Sequence, residues 1–333
     1  MKFGSKIFLL LLIVCQIPWN SSAQDQACSR FLIPLTVRDI RGEVIHDFSA
    51  HDLEIKVNGN VQQVESIHRE SRTRRIIILL DASASMRGFG TESPWRQAVS
   101  SAQLVTNLSE GRMQVALLIF NEKIIEEIGF APDNTAIIRR LNALQKDQEF
   151  RNHWVKGTTH LFDSVSHALQ LLEHPSSADT IYIASDKGEN KSRLMHEDIQ
   201  RELGESGVRV FLTLLVNPLN YRNRSPEEIS GPQDTITLVE RTGGERMFLT
   251  ANEISLGFQT KPNPTPLEGA RMYYQGFFDN DLLEIQPVPP PSKKRDLKIA
   301  LSPVGRDHLK GAQLFYPRQL YTCASQTSPT AAD

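Results

Sequence analysis

Residues 76–86, IIILLDASASM, decide how this chain is read. The apolar run from Ile76 to Leu80 suits a strand buried on both faces, as in a parallel sheet. It passes directly into Asp81, Ser83 and Ser85, oxygen-bearing side chains separated by single alanines. In open α/β sheets, ligands bind beyond the carboxyl ends of the strands. The position of these oxygens therefore raises the question of a ligand.

Working outward, strands and helices alternate. The pattern predicts a helix over Pro94–Leu108, strands at MQVALLIF and KIIEEIGF, and helices over Thr135–Leu144 and Leu161–Leu172. Next come a strand at DTIYIAS, a helix over His196–Leu203 ending near Gly204, and a strand at VRVFLTLLV. A helix over Asp234–Arg241, stopped by Gly243-Gly244, and a strand at RMFL complete the series. Such alternation means an α/β fold, a doubly wound, mainly parallel sheet with helices on both faces. On either side the chain reads as β-structure. Residues 31–70 contain FLIPLTVRD, LEIKV and VQQVESI, with Asn58-Gly59 as a hairpin signal. After the linker KPNPTP, both ARMYYQGFF and RDLKIALSP alternate like strands, separated by the proline tract Pro287–Pro291. The expected organisation is a signal peptide (1–23), an N-terminal β-segment (24–73), an α/β domain (74–255), a linker (256–267), a C-terminal β-segment (268–323) packing with 30–70 as a smaller β-rich domain, and a disordered tail (324–333).

Composition narrows the function. The chain has 333 residues and a formal net charge of −2, without the basic footprint of a nucleic-acid binder. Its basic clusters, Arg72, Arg74, Arg75 and Lys293, Lys294, Arg295, read as solvated turns or strand edges. Lys2 and Lys6 precede the apolar run Ile7–Val14, and Ser21-Ser22-Ala23 supplies small residues for cleavage. This reads as a secretory signal cut after Ala23, placing the mature protein outside the cytoplasm, secreted or periplasmic. Lipid anchoring at Cys15 is an alternative, set against by Val14 before it. Cleavage after Ala23 would leave two cysteines, Cys28 and Cys323, expected to form one bridge in an oxidising compartment; two free thiols in the tails are the alternative.

Two further loops carry oxygens towards the same sheet edge. KGTTH holds Thr158 and Thr159, and the strand IYIAS runs into Asp186. Such a set suits a hard cation, since Mg²⁺ prefers six oxygens at about 2.0–2.1 Å. Each residue also has a plainer reading, because Ser83, Ser85, Thr158 or Thr159 could cap the following helix. Other chemistries lack their anchors. His153, His160, His167 and His174 recur every seven residues, about 10.5 Å along a helix, too far apart to share one metal, and read as a surface stripe. Neither a G-x-S-x-G elbow nor an H-E-x-x-H helix occurs.

Taken together, Asp81-x-Ser83-x-Ser85, Thr159 and Asp186 resemble the metal-ion-dependent adhesion site of the von Willebrand factor type A (VWA) family, over about residues 74–250. VRDIRGEVI, LEIKVNG and YYQGFF resemble flanking segments of a bacterial secreted subgroup, in which the last is a strand. Two departures stand out: Lys187 follows Asp186 where the family often has glycine, and Thr158 replaces a second glycine. The resemblance implies a secreted, adhesion-type binding module, not an enzyme. Asp81, Ser83, Ser85, Thr159 and Asp186 would hold Mg²⁺ (or Mn²⁺ or Ca²⁺), and a protein partner would present an Asp or Glu carboxylate. Arg87, Phe89, His160 and Glu189 would form the rim that contacts it. The rival expectations are a metal-dependent enzyme using the cation as a Lewis acid, with Glu189 or His160 as base, and a scaffold without a working site.

Overall fold

The structure is a computed structural model and describes residues 31–88, 93–186, 189, 191–215, 226–250 (backbone only for 226–230), 253–286 and 295–321. The expected signal peptide, Cys15, Cys28, Cys323, Phe89, the proline tract and the tail lie outside the described residues.

The chain opens with β1 (Phe31–Arg38), β2 (Val44–Ile45), β3 (Leu53–Val57), β4 (Asn60–Gln62) and β5 (Val64–Arg69). Asn58 and Gly59 have φ of 48° and 82°. Two successive left-handed residues make the turn whose twist matches a hairpin, and β3 and β4 pair antiparallel across it.

The central unit begins with β6 (Arg74–Asp81), α1 (Pro94–Leu108), β7 (Met113–Phe120) and β8 (Ile124–Ile128). It continues through α2 (Thr135–Leu144), α3 (Gln148–Trp154), α4 (Leu161–Leu171), β9 (Thr180–Ser185) and α5 (His196–Ser206). It ends with β10 (Arg209–Leu215), α6 (Pro226–Arg241), β11 (Arg246–Leu249), β12 (Ile254–Leu256) and α7 (Pro266–Phe278). The sheet order is β12-β11-β10-β9-β6-β7-β8. It is parallel from β11 to β7, with β12 and β8 antiparallel at the edges. Strand β6 divides its side chains between two cores. Ile76, Ile78 and Leu80 join Trp95 and Val99 of α1, Ile137 of α2 and Tyr274 of α7. Ile77 and Leu79 join Val165 of α4, Ile199 of α5 and Leu238 of α6. Each such buried aliphatic side chain contributes about 1.5–3 kcal/mol, so this strand's position is strongly fixed.

The structure corrects three expectations here. First, ARMYYQGFF is helical. Its large residues fall at helical spacing, so Ala270, Tyr273, Tyr274 and Phe277 bury one face. Thr265 and Glu268 cap its start reciprocally, and Pro266 occupies the first turn. Because α7 packs into the first core, and β12 joins the sheet, the α/β unit extends past 255 and the expected linker is partly structured. Second, α5 runs through Gly204 and stops at Gly207, which takes φ +71°. Gly204 has a packing role instead: a Cβ there would lie 2.0 Å from the Tyr321 ring. Third, α6 begins earlier than Asp234, at Pro226, and α3 and β12 are additional elements.

Beyond α7 the chain forms β13 (Asp281–Ile285), β14 (Arg295–Leu301), a short α8 (Pro303–His308), β15 (Gln313–Phe315) and β16 (Gln319–Leu320). These strands interleave with the opening ones. One sheet runs β15-β1-β13-β5 with β2 beside β1, and the other runs β16-β14-β3-β4. Ile33, Leu35, Ile55, Val57, Leu283 and Ile299 share a third core.

This β-unit meets the amino-terminal edge of the central sheet through buried arginines. Arg38 donates to Glu245 (2.9 Å) and to the carbonyls of Gly42 and Met272. Arg74 and Arg209, at the starts of β6 and β10, both donate to Asn280 Oδ1, at 2.6 and 3.1 Å. Burial pushes the Arg209 guanidinium down to about 9 and pushes the Glu245 carboxyl up. Arg74 and Arg295, expected in solvated positions, are therefore buried, and Arg295 covers the Phe31 ring at 5.5 Å. Of the neighbouring cluster residues, Arg72 pairs with Glu70 and Arg75 with Asp179. Among the described residues no helix is long and apolar enough to cross a membrane.

Candidate metal site

At the opposite edge, Asp81 closes β6 with its side chain fully buried. Its Oδ1 accepts from the Ser83 amide at 2.7 Å, which curls the chain immediately after the strand. A single 3-10 turn over Ala84–Met86 follows, anchored by buried Met86. With alanine at 82 and 84, nothing bulky intervenes, and the Ser83 and Ser85 hydroxyls come within 3.2 Å of each other. Ser85 Oγ donates to Asp186 Oδ1 at 2.7 Å, and Ser185 Oγ donates to Asp81 Oδ2 at 2.6 Å. The ends of β6 and β9 are thus joined by hydroxyl–carboxylate bonds.

The threonine loop is strapped to the same turn. Lys156 N donates to Ala82 O (2.9 Å), and Ala84 N donates to Gly157 O (3.0 Å). Asn121, just past β7, donates from its side-chain amide to the carbonyls of Trp154 and Lys156, and its own carbonyl accepts from His160 N. Gly157 has φ +81°, a left-handed backbone that L side chains rarely adopt, so the turn favours glycine. Thr159 is 2% exposed, and its carbonyl accepts from Lys191 N.

These contacts decide against the capping alternative. Ser83 precedes the 3-10 turn without a side-chain cap bond, and the residue at the start of α4 is His160, also without one. Of the expected rim, Arg87 is exposed and donates to Asn152 O at 3.2 Å. His160 is half-buried, 3.6 Å from Asp163. Glu189 accepts from Phe162 N and from the Ser192 amide and hydroxyl, holding the start of α4. Sequence reading passed over Ser185, Asn121 and Glu122. The signal was available: Ser185 ends a strand of the same sheet, as Asp81 does, and Asn121 directly follows one.

The donor set fits a hard cation. Neighbouring ligands of an octahedron with bonds of 2.0–2.1 Å lie about 2.9 Å apart, and the Ser83–Ser85 and Ser85–Asp186 separations, 3.2 and 2.7 Å, bracket that edge. Among the described residues no group of three or more His, Cys, Asp and Glu is placed to hold a metal. A cation here would rest on two carboxylates and on neutral hydroxyls.

A family model described as the von Willebrand factor type A domain matches residues 76–189, spanning both Asp81 and Asp186. The chain contains a von Willebrand factor type A domain. Domains of this family are in general protein-interaction modules. Solved structures similar to this chain include the conserved hypothetical protein BatB from Bacteroides thetaiotaomicron, at 13% identity over 61% of this chain and 96% of that one, with a TM-score of 0.40. The SpRpn10 VWA domain matches at 10% identity over 60% and 94%, with a TM-score of 0.37. An aerotolerance-related membrane protein from Bacteroides fragilis NCTC 9343, with multiple mutations to serines, matches at 12% identity over 61% and 98%, with a TM-score of 0.37. No curated protein matches.

Proposed function

We propose that this VWA protein is an extracytoplasmic, metal-dependent binding module and not an enzyme. Asp81, Ser83, Ser85, Thr159 and Asp186 would hold Mg²⁺, with Mn²⁺ or Ca²⁺ as substitutes. The observation that carries this reading is the chain of oxygens from Ser83 through Ser85 to Asp186, spaced near the edge of a Mg²⁺ octahedron. A divalent cation bound there would supply an electrophilic position for one further anionic oxygen. Only the two carboxylates among the five donors carry charge, so no excess of negative charge would repel a further anionic oxygen, here a carboxylate of a protein partner.

A Lewis-acid enzyme needs a positioned base; of the two candidates, the Glu189 carboxylate is engaged by Phe162 and Ser192, which favours binding, and His160 stands 3.6 Å from Asp163 as the base that the enzyme reading would have to use. Extracytoplasmic placement rests on the charged and apolar residues before Ala23. The deciding experiment is capture of partners from an extracytoplasmic fraction with Mg²⁺ or with chelator, using wild type and Asp81→Ala. Partners should appear only with wild type and Mg²⁺. A partner held equally in chelator and by Asp81→Ala would place the contact elsewhere.

A further inference from the structure

Of the five expected ligands Asp81 is the most deeply buried, at 0% exposure. A carboxylate in such a place is costly unless its oxygens are held. The register of the sheet supplies one of its partners. Parallel pairing sets Leu79 beside Ile183 and Leu80 beside Ala184. Leu79 and Ile183 share the second core, and Leu80 and Ala184 share the first. Side chains alternate along a strand, so Asp81 and Ser185 follow as neighbours on the face of the second core. The Ser185 hydroxyl belongs to a residue that is itself fully buried, and it donates to Asp81 Oδ2 at 2.6 Å. Oδ1 accepts from the Ser83 amide at 2.7 Å.

A donor on each oxygen, one from the serine turn and one from the adjacent strand, fixes the rotation of this carboxylate. The residue after Ser185 is Asp186, whose Oδ1 accepts from Ser85 Oγ at 2.7 Å. The end of β9 therefore governs both carboxylates, the first through the Ser185 hydroxyl and the second through its own chain. Their relation is set by strand register and not by a loop. A ligand already oriented by its neighbours loses little freedom when the ion arrives, and partners that hydrogen-bond metal ligands are worth about 10- to 100-fold in metal affinity.

We infer that Ser185 is a positioning residue of the metal site, its hydroxyl holding Asp81 in the orientation in which Asp81 and Asp186 face one cation. This rests on the metal-binding reading above and adds a residue outside the expected ligand set. A buried serine hydroxyl needs a partner in any fold, so a loss of stability alone does not distinguish this role. Ser101 provides the comparison. Its hydroxyl is also buried, bonds to the Tyr182 and Tyr274 hydroxyls between α1, β9 and α7, and lies outside the oxygen cluster.

The test measures Mn²⁺ affinity of the mature protein by electron paramagnetic resonance, beside thermal midpoints in chelator. Ser185→Ala should weaken Mn²⁺ binding by about 10- to 100-fold. Ser101→Ala, the same deletion elsewhere, should lower the midpoint and leave the affinity unchanged. Ser185→Thr keeps the hydroxyl and should keep most of the affinity. Should Ser185→Ala fail to fold, Ser185→Cys carries the test, since it keeps the volume, offers only a weak donor and should lose affinity in the same direction. Unchanged affinity in the Ser185 variants that lack the hydroxyl, or an equal loss in Ser101→Ala, overturns the inference and leaves the metal reading standing. Wild type that binds no Mn²⁺ overturns both.

Discussion

Strand β6 carries a buried charge at each end, and the two ends differ in how those charges are used. At its start, Arg74 lies in a closed layer with Arg38, Arg209, Glu245 and Asn280, covered by the β-unit and α7. At its finish, Asp81 lies among hydroxyls, and the half-buried Ser85 opens towards solvent. The first arrangement holds two units of the protein together. The second gathers oxygens at an edge that a ligand can reach. Burial of a charge therefore does not by itself mark function; what distinguishes the ends is whether the layer is sealed by other parts of the chain.

The largest effect should come from breaking the sealed end. Arg38→Met leaves Glu245 buried opposite an apolar side chain and should cost about 3–5 kcal/mol in denaturant unfolding. Asp81→Asn, measured in chelator, should cost far less, because an amide oxygen can still accept from Ser83 or Ser185. Comparable losses in the two variants would erase the contrast.

Next in size is a proposed covalent tie at the sealed end. Phe31 and Tyr321 line one cavity there; Cys28 precedes Phe31 by three residues and Cys323 follows Tyr321 by two. The two cysteines should form a disulfide, recovered as a cross-linked pair in non-reducing peptide maps. Replacing both by serine should cost about 2–4 kcal/mol. Two alkylatable thiols in protein purified under oxidising conditions would contradict the bridge.

The open end should respond to metal. A ligand that binds only the native state stabilises it by mass action, about 2.7 kcal/mol at a hundred times its dissociation constant. Mg²⁺ or Mn²⁺ should therefore raise the thermal midpoint of wild type and leave that of Asp81→Ala unchanged. Identical midpoints for wild type in chelator and in millimolar metal would count against the site.

The smallest effect is a pH slope from the sealed end. Burial raises the Glu245 carboxyl above its ordinary value. Between the unfolded and the raised folded value, the folded state binds more protons than the unfolded state. The Glu245 contribution thus falls as pH rises through that window and is fully present below the unfolded value. Glu245→Gln should flatten this part of the stability–pH curve; an unaltered slope would assign it to another group.

Much of the central unit was legible beforehand. The run Ile76–Leu80 required burial on both faces, and the structure divides it between two cores. The Asn58-Gly59 hairpin followed from left-handed turn chemistry. Of the candidate oxygens, Asp81, Ser83, Ser85 and Asp186 were placed together by the logic of strand ends, and hydrogen bonds join them. The segment ARMYYQGFF misled because a short aromatic stretch fits both a period of two and a period near 3.6. Its capping box, TPLE, was the local signal that settles the choice.

Sequence by itself thus determined the α/β pattern, the edge on which the oxygens gather and the turns that need glycine or asparagine. These follow from short-range sterics and from burial periodicity, which each segment carries within itself. Only the tertiary structure decided that β1 pairs with β13, that β14 lies beside β3, and that Arg74 and Arg295 are buried. It alone tied the segment 154–156 to Asn121 and to Ala82. Those outcomes depend on contacts between residues far apart in the chain, where an arginine reads as solvated until a distant carboxylate, amide or ring is placed against it.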